Sequence, residues 1–292
     1  MSRYEFIDAE KANFDVVAMC NALSVSRAAY YDWRSRAPSS REVRREELAL
    51  KVVAVHESSG RVYGSPRVHA QLKKRGEVVS EKTVAILMQE NGLAARRKKK
   101  FKVTTDSRKT KRIAPNLLAR NFVAERPNQV WVTDVTALWT LTGWVYLAAI
   151  IDLFARRVVG WELSESNDTA LALAALERAV ENRQPPPGLL HHSDRGSPYG
   201  SDNYIAALER IGALRSMSRK GDCWDNAVAE SFFSSLEHEC VRGRTFASFC
   251  DTRRSIETYV DEFYNAERLH STLGFMSPIE FECHSVLHQE AA

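Results

Sequence analysis

Several things are missing from this chain of 292 residues. No apolar run reaches the roughly 18–20 residues that a membrane-spanning helix needs. The longest, Trp144 to Ala155, is interrupted by Asp152 and reads as a strand. Met1 to Lys11 is polar and mixed in charge, which predicts no secretory signal. Cysteine is scarce: the five, at 20, 223, 240, 250 and 283, are scattered and odd in number. That argues against a disulfide framework and fits a reducing, cytoplasmic setting without a membrane partner. No Cys or His pair has zinc spacing. There is no low-complexity segment and no sustained heptad, and no nucleophile–base pair stands out.

Net charge is also small, only +4. The total hides a separation. Residues 1–112 carry 25 Lys/Arg against 13 Asp/Glu, whereas residues 113–292 carry 16 against 24. The first part is thus +12 and the second −8, which points to two different jobs. The densest stretch runs from Arg96 to Arg112, with ten basic side chains against Asp106 alone.

The N-terminal third reads as short helices. Phe14 to Ala22 is apolar at helical spacing, and Ser26 is placed to cap a helix over Arg27 to Arg34. Helix, tight turn and capped second helix form the helix-turn-helix pattern. A charged helix follows from about Arg41 to His56. A second such unit comes next: Ser65-Pro66 opens a helix to Arg75, Gly76 ends it, and Ser80 caps another to Asn91. Two helical hairpins followed by a basic stretch predict a DNA-binding region, because Lys and Arg neutralise backbone phosphates and release counterions. The stretch can equally be a solvated linker.

From Asn128 the period changes. Gln129 to Leu138, Trp144 to Phe154 and Arg157 to Leu163 are rich in β-branched and aromatic residues and predict three antiparallel strands. Helices are predicted over Asp168 to Asn182, from Ser201 to Gly212, over Asn226 to Cys240 and over Asp251 to Arg268, with strands at Leu189 to Asp194 and Leu214 to Ser218. The fold class is therefore α+β or α/β: a mixed sheet flanked by helices, preceded by an all-α region. The predicted domains are a helical region with two helix-turn-helix units at 1–95, a basic linker at 96–125, a mixed-sheet core at 126–285 and a tail at 286–292.

Three acids on separate elements draw notice. Asp134 lies mid-strand among apolar residues, where an unpaired carboxylate is costly. Asp194 ends a later strand, and strand ends of open sheets face ligand crevices. Glu230 sits in the first turns of a helix. Carboxylates converging from separate elements can hold hard cations such as Mg²⁺, and paired ions assist phosphoryl transfer. Spacing alone does not choose between Asp134 and Asp152, which also lies in an apolar strand.

The motifs WVTDVT, YLAAIIDLFARRVVGW, HHSDRGSPY, SRKGDCWDNAVAESFFSSL and YNAERLHSTLGFMSPIEF run in order through residues 128–281. Together they resemble the integrase-core transposases of bacterial insertion sequences, in particular the second-reading-frame product of the insertion sequence three family. The spacing between Asp194 and Glu230 is that family's spacing. Upstream, VYGSPRVHAQLKKRGEVVSEKTVAILMQENGL resembles its helix-turn-helix segment.

The resemblance implies a ribonuclease-H-like core with a five-stranded mixed sheet. It implies an enzyme that cleaves a donor DNA strand and transfers it to a target without a covalent protein–DNA intermediate. Asp134, Asp194 and Glu230 would be catalytic and would hold two Mg²⁺ or Mn²⁺ ions, which leaves Asp152 structural. The partners implied are double-stranded DNA at the element's terminal inverted repeats and at the target, at least one further copy of the chain, and a first-reading-frame protein. DNA would be met by Arg67 and Lys82 in the second helical unit, by Arg96, Arg97, Lys98, Lys99, Lys100 and Lys102, and by Lys220 and Trp224 ahead of the Glu230 helix. The setting would be the bacterial cytoplasm, on the nucleoid during action. Gly196 is expected to let the chain turn after Asp194. Ser234 and Glu237 stand where many relatives carry basic residues, which puts that DNA contact in doubt. An inactive DNA-binding regulator and a structure-selective nuclease of the same fold are the alternatives.

Overall fold

Ser and Asp side chains ahead of apolar stretches start most of the helices. In the computed structural model, which describes residues 2–95, 112–220 and 222–290, α1 (Arg3–Glu10), α2 (Val16–Ala22) and α3 (Arg27–Ser35) begin at Ser2, Asp15 and Ser26. Each of these caps accepts a bond from the backbone N–H three residues on. Ile7, Met19, Cys20 and Tyr30 close a small core between the three helices. A second unit comprises α4 (Ser40–Ser58), α5 (Ser65–Lys74) and α6 (Glu81–Glu90), packed on Val52, Val68, Leu72, Val84 and Leu87.

The sheet consists of β1 (Val130–Thr140), β2 (Gly143–Asp152), β3 (Arg157–Ser164), β4 (Leu190–Ser193) and β5 (Leu214–Met217), in the order β3-β2-β1-β4-β5. The first three are antiparallel neighbours, and β4 and β5 run parallel to β1. This is the ribonuclease-H-like mixed sheet. Alternation along β1 sends Val132 and Leu138 to one face and Trp131 to the other. The Val132 face is covered by α9 (Ala227–Leu236) and α10 (Phe249–Glu257). The Trp131 face is covered by α7 (Thr169–Arg183) and α8 (Asp202–Arg210).

The second helical unit is docked on the C-terminal part of the sheet domain. Leu269 enters its core. The Tyr63 hydroxyl accepts from Leu269 N–H at 2.9 Å and donates to the Glu267 carbonyl at 3.3 Å. Lys74 pairs with Glu280, at the start of α11 (Pro278–Glu290).

Three expectations change. Residues 96–111 of the predicted linker lie outside the described residues, but 112–125 are strapped to the core rather than linking domains. Ala114 and Leu118 are buried there, Phe122 and Ala124 pack against the sheet domain, and Ser216 Oγ accepts from the N–H groups of Leu117 and Leu118. Apolar residues spaced among polar ones carried that signal. The two C-terminal helices are also not uniform, since α9 widens into a π-helical turn at Glu237–Val241 and α10 into another at Thr258–Tyr264. Finally, α11 continues to Glu290, past the boundary predicted at 285.

Close packing of α7 on β3 depends on Gly160. A Cβ there would stand 2.5 Å from the Ala175 carbonyl oxygen and 2.7 Å from Ala179 Cβ. Gly160→Ala should therefore lower stability by about 1–3 kcal/mol, the usual cost of overpacking. Denaturant unfolding checks this, and an unchanged midpoint would show that α7 can retreat freely.

Candidate active site

The end of the parallel ladder sets the site. Between β1 and β4 the last paired residues are Thr133 and Ser193. Asp134 and Asp194 follow them directly, so two carboxylates leave neighbouring strands side by side where the strands lie about 4.8 Å apart. Asp134 shares the parity of Val132 and Leu138, hence the face covered by α9, and Glu230 lies in the first turn of α9.

The electrostatics agree with this convergence. Burial pushes the Asp134 carboxyl well above its ordinary range, and the charges of Asp194 and Glu230 push it further. A single bond from Val135 N–H at 2.8 Å opposes them. Burial also raises Asp194, against a 2.8 Å bond from Gly196 N–H. Burial raises Glu230 as well. Among the described residues no three Asp, Glu, His or Cys already stand as a metal-holding group. Asp134 thus feels the charge of both other acids, although the three do not form one cluster.

Gly196 is needed for a reason other than the one expected. Its φ is −61°, open to any residue. A Cβ there would lie 2.8 Å from Asp194 Oδ1, so the glycine makes room for the carboxylate that its own N–H binds.

Other residues singled out in the sequence have defined places. Asp152 is fully buried at the far end of β2; it accepts from Asn128 and Phe154 N–H and lies 3.5 Å from Arg183. It is a structural acid. His191 meets the Tyr204 hydroxyl at 3.1 Å, and His192 lies between Ser216 Oγ and Ser218 Oγ. Burial pushes them down to about 3 and about 4, so both rings are neutral at pH 7. Tyr199 is buried against Tyr204, and Ser201 caps α8. Lys220 and Trp224 are exposed on the loop ahead of α9, and Lys82 is exposed on α6. Arg67 instead points into the sheet domain, over the Tyr63 ring and 3.9 Å from Glu239. Ser234 is half-buried and Glu237 is exposed. Arg96, Arg97, Lys98, Lys99, Lys100 and Lys102 lie outside the described residues.

Sequence reasoning missed the residues that hold the Glu230 helix. Asp225 is fully buried and gathers donors from two segments: Asn116 Nδ2 at 2.9 Å and Arg120 Nε at 2.8 Å from one, and Arg219 through its backbone N–H, Nε and Nη2, each at 2.9 Å, from the other. The Arg219 bonds hold its carboxyl far below the ordinary range. Next to it, Asn226 Nδ2 donates to the Thr133 carbonyl at 3.1 Å, tying the start of α9 to the residue before Asp134. The available signal was an acid–amide pair just ahead of Glu230.

Comparison with known proteins fits this geometry. An integrase core domain model matches residues 124–223, a second integrase core domain model matches 212–278, and an HTH-like domain model matches 42–101. The chain is 39% identical over 274 residues to an insertion element IS600 protein of 31 kDa from Shigella sonnei, covering 94% of this chain and all of that protein. It is 39% identical over 282 residues to the transposase InsF for insertion sequence IS3A from Escherichia coli (strain K12), covering 96% and 98%. The chain belongs to the IS3 family of transposases. The catalytic core domain of BIV integrase is similar over 56% of this chain and 99% of its own, with 12% identity and a TM-score of 0.42. As an IS3-family transposase with an integrase core, the chain is a DDE-type enzyme of DNA transposition.

In this transposase, Asp225→Asn removes one charge from a buried acceptor of five hydrogen bonds. The expected loss is about 1–3 kcal/mol of stability, that of hydrogen bonds to a charged group. Misplacement of Glu230 should lower strand cleavage at saturating DNA by about 10²-fold. Single-turnover cleavage checks this, and a wild-type rate would show that the Asp225 cluster does not position α9.

Proposed function

We propose that Asp134, Asp194 and Glu230 are the catalytic acids of a transposase that cuts a donor strand at the element's terminal repeats and joins the freed end to target DNA. The observation that carries this is the pair of carboxylates at the end of the β1–β4 ladder, with Glu230 close enough to raise Asp134 further.

The donor set suits Mg²⁺ or Mn²⁺. It consists of carboxylate oxygens alone, which such ions prefer, and the mutual repulsion at Asp134 is what a divalent cation relieves. Asp134, Asp194 and Glu230 together would hold such ions, Asp134 being the acid on which the charges of the other two act. Bound there, such ions lower the pKa of the attacking oxygen and neutralise charge on the scissile phosphate. The chain's own part is to hold three carboxylates in place. The sheet fixes Asp134 and Asp194, Gly196 N–H orients one Asp194 oxygen, and Asn226 and Asp225 fix the start of α9.

Two successive displacements follow. Water attacks the donor phosphodiester and releases a 3′-hydroxyl. That hydroxyl then attacks a target phosphodiester and expels a target 3′-hydroxyl. Pairing two element ends calls for at least two protomers, and a first-reading-frame protein of the same element is the expected further partner.

Asp134→Asn and Glu230→Gln should abolish both cleavage and joining in an oligonucleotide strand-transfer assay with Mg²⁺ while leaving DNA binding intact. Surviving activity would overturn the assignment. Cutting without joining by the wild-type chain would identify a nuclease instead, and binding with neither step a regulator.

Stability gives a second test. A carboxyl raised by folding leaves stability intact below its unfolded value; its contribution falls as pH climbs from there and is fully lost once pH exceeds the folded value. In metal-free buffer at pH 7, Asp134→Asn should therefore raise the melting temperature, by about 2–4 °C per kcal/mol relieved. Added Mg²⁺ should raise that of the wild type more than that of the variant. A lower melting temperature for the variant without metal would show that the three acids do not repel one another.

Phosphate contact by the basic segment is tested through salt. The affinity of the full chain for duplex DNA should fall by roughly 0.9 log unit per log unit of salt for each phosphate contacted. Replacing Lys98, Lys99 and Lys100 with Ala together should flatten that slope. An unchanged slope would place the phosphate contacts elsewhere.

A further inference from the structure

Two helical units precede the sheet domain, and their exposed faces differ. Between α2 and α3 lies a tight turn, with Ser24 in the left-handed region at φ 55° and Ser26 capping α3. One face of α3 is anchored. Tyr30 is fully buried, its hydroxyl bonds Asp8 at 3.0 Å, and Trp33 stacks on Tyr4. The other face presents Arg27, Ala28, Tyr31 and Arg34 to solvent. The Arg27 guanidinium lies over the Tyr31 ring at 6.0 Å, and Tyr31 is 45% exposed. From Arg27 to Arg36 there are three arginines against one acid, Asp32. Arg34 leans 3.3 Å from Asp8, yet its side chain stays half exposed.

The corresponding helix of the second unit, α6, carries more acid than base. α6 exposes Glu81 and Glu90 against Lys82. Arg45, which would soften that face, is paired with Glu90 at 2.7 Å. Arg67 of α5 is turned inward to Glu239, and Lys74 is paired with Glu280. Arg67 and Lys74 thus face the sheet domain, while Arg41, Lys73 and Arg75 of this unit stay exposed outside α6.

We propose that α3 is the helix that reads duplex DNA, entering the major groove with Arg27 at its leading end and Tyr31 and Arg34 one and two turns on. The three-helix form with a short turn places the second helix of the pair in the groove and its first residues at base edges. Arg27 has the donor geometry for guanine O6 and N7. The HTH-like match covers 42–101 and leaves this unit unassigned. The inference rests on the reading above that the chain binds element ends, and it names which surface reads them.

The test uses the full chain and a duplex library with a randomised core, from which the wild type selects its preferred sequence. Affinity for that sequence relative to a scrambled duplex is then measured. Arg27→Ala with Tyr31→Ala should lower this ratio by about 10–100-fold, the discrimination carried by a good base contact. Arg27→Lys keeps a charge for phosphate and loses the fork, so it should lose preference while keeping the salt dependence. Dimethyl sulfate protection of guanine N7 in the selected site should vanish in the double variant, which a merely structural role would not cause in a chain whose circular dichroism is unchanged. A double variant that keeps its preference would overturn the assignment to α3. A wild type that binds no duplex at all would overturn the proposed function itself.

Discussion

Two carboxylates emerging side by side from adjacent parallel strands are the constraint on which this structure turns. The ladder ends at Thr133 and Ser193, and the next residue on each strand is an aspartate. Charges this close in a buried setting repel strongly, and Glu230 adds to the strain on Asp134. A sheet is a suitable scaffold for such an arrangement. Its strands are fixed by hydrogen bonds on both sides, so the acids cannot relax apart without breaking the ladder. β1 is central, held by β2 over ten residue pairs and by β4 over four. Repulsion that would spread two side chains on a loop is here retained by the sheet.

Glu230 has no such ladder, and the chain fixes it differently. Asp225 draws together the loop after β5 and the strap at 112–120, and Asn226 reaches across to β1. The strap continues directly from the basic segment. A segment expected to serve as a solvated connection is therefore part of the frame that sets the third acid. A buried carboxylate with five donors is costly to leave half satisfied. The loop carrying Lys220 and Trp224 is anchored at Arg219 and Asp225, and both side chains remain exposed on it.

Much of this was legible in the residues, and what was not has identifiable causes. Caps and β-branched runs marked the helices and strands because those signals are local. The choice between Asp134 and Asp152 was not local. Both sit in apolar strands, and only strand order separates them: Asp134 lies beside the end of β4, while Asp152 lies at the other end of β2 beside Arg183. Arg67 reads as a DNA contact until α5 is seen packed on Tyr63 and Glu239. Gly196 suggests a turn, whereas its real requirement is space beside Asp194. The π-helical turns have no simple sequence mark, because they arise from fitting Tyr259, Val260 and Tyr264 into a core built by other elements.

The charge split takes on a different meaning with these contacts in view. The first part of the chain is strongly basic, yet Arg67 in its second helical unit is turned toward the sheet domain. Arg67 joins Glu239, which is already gripped by Arg268 through two bonds of 2.7 Å and by the Tyr259 hydroxyl at 2.9 Å. Burial alone would raise the Glu239 carboxyl; the bond and charge of Arg268 overcome that and hold it low. Replacing one member of such a cluster leaves an unpaired buried charge, so the cluster fixes one docking arrangement even where it adds little net stability. Glu239 lies in the π-helical turn that continues α9, the helix of Glu230. The helical unit and the third acid are thus mounted on one continuous element.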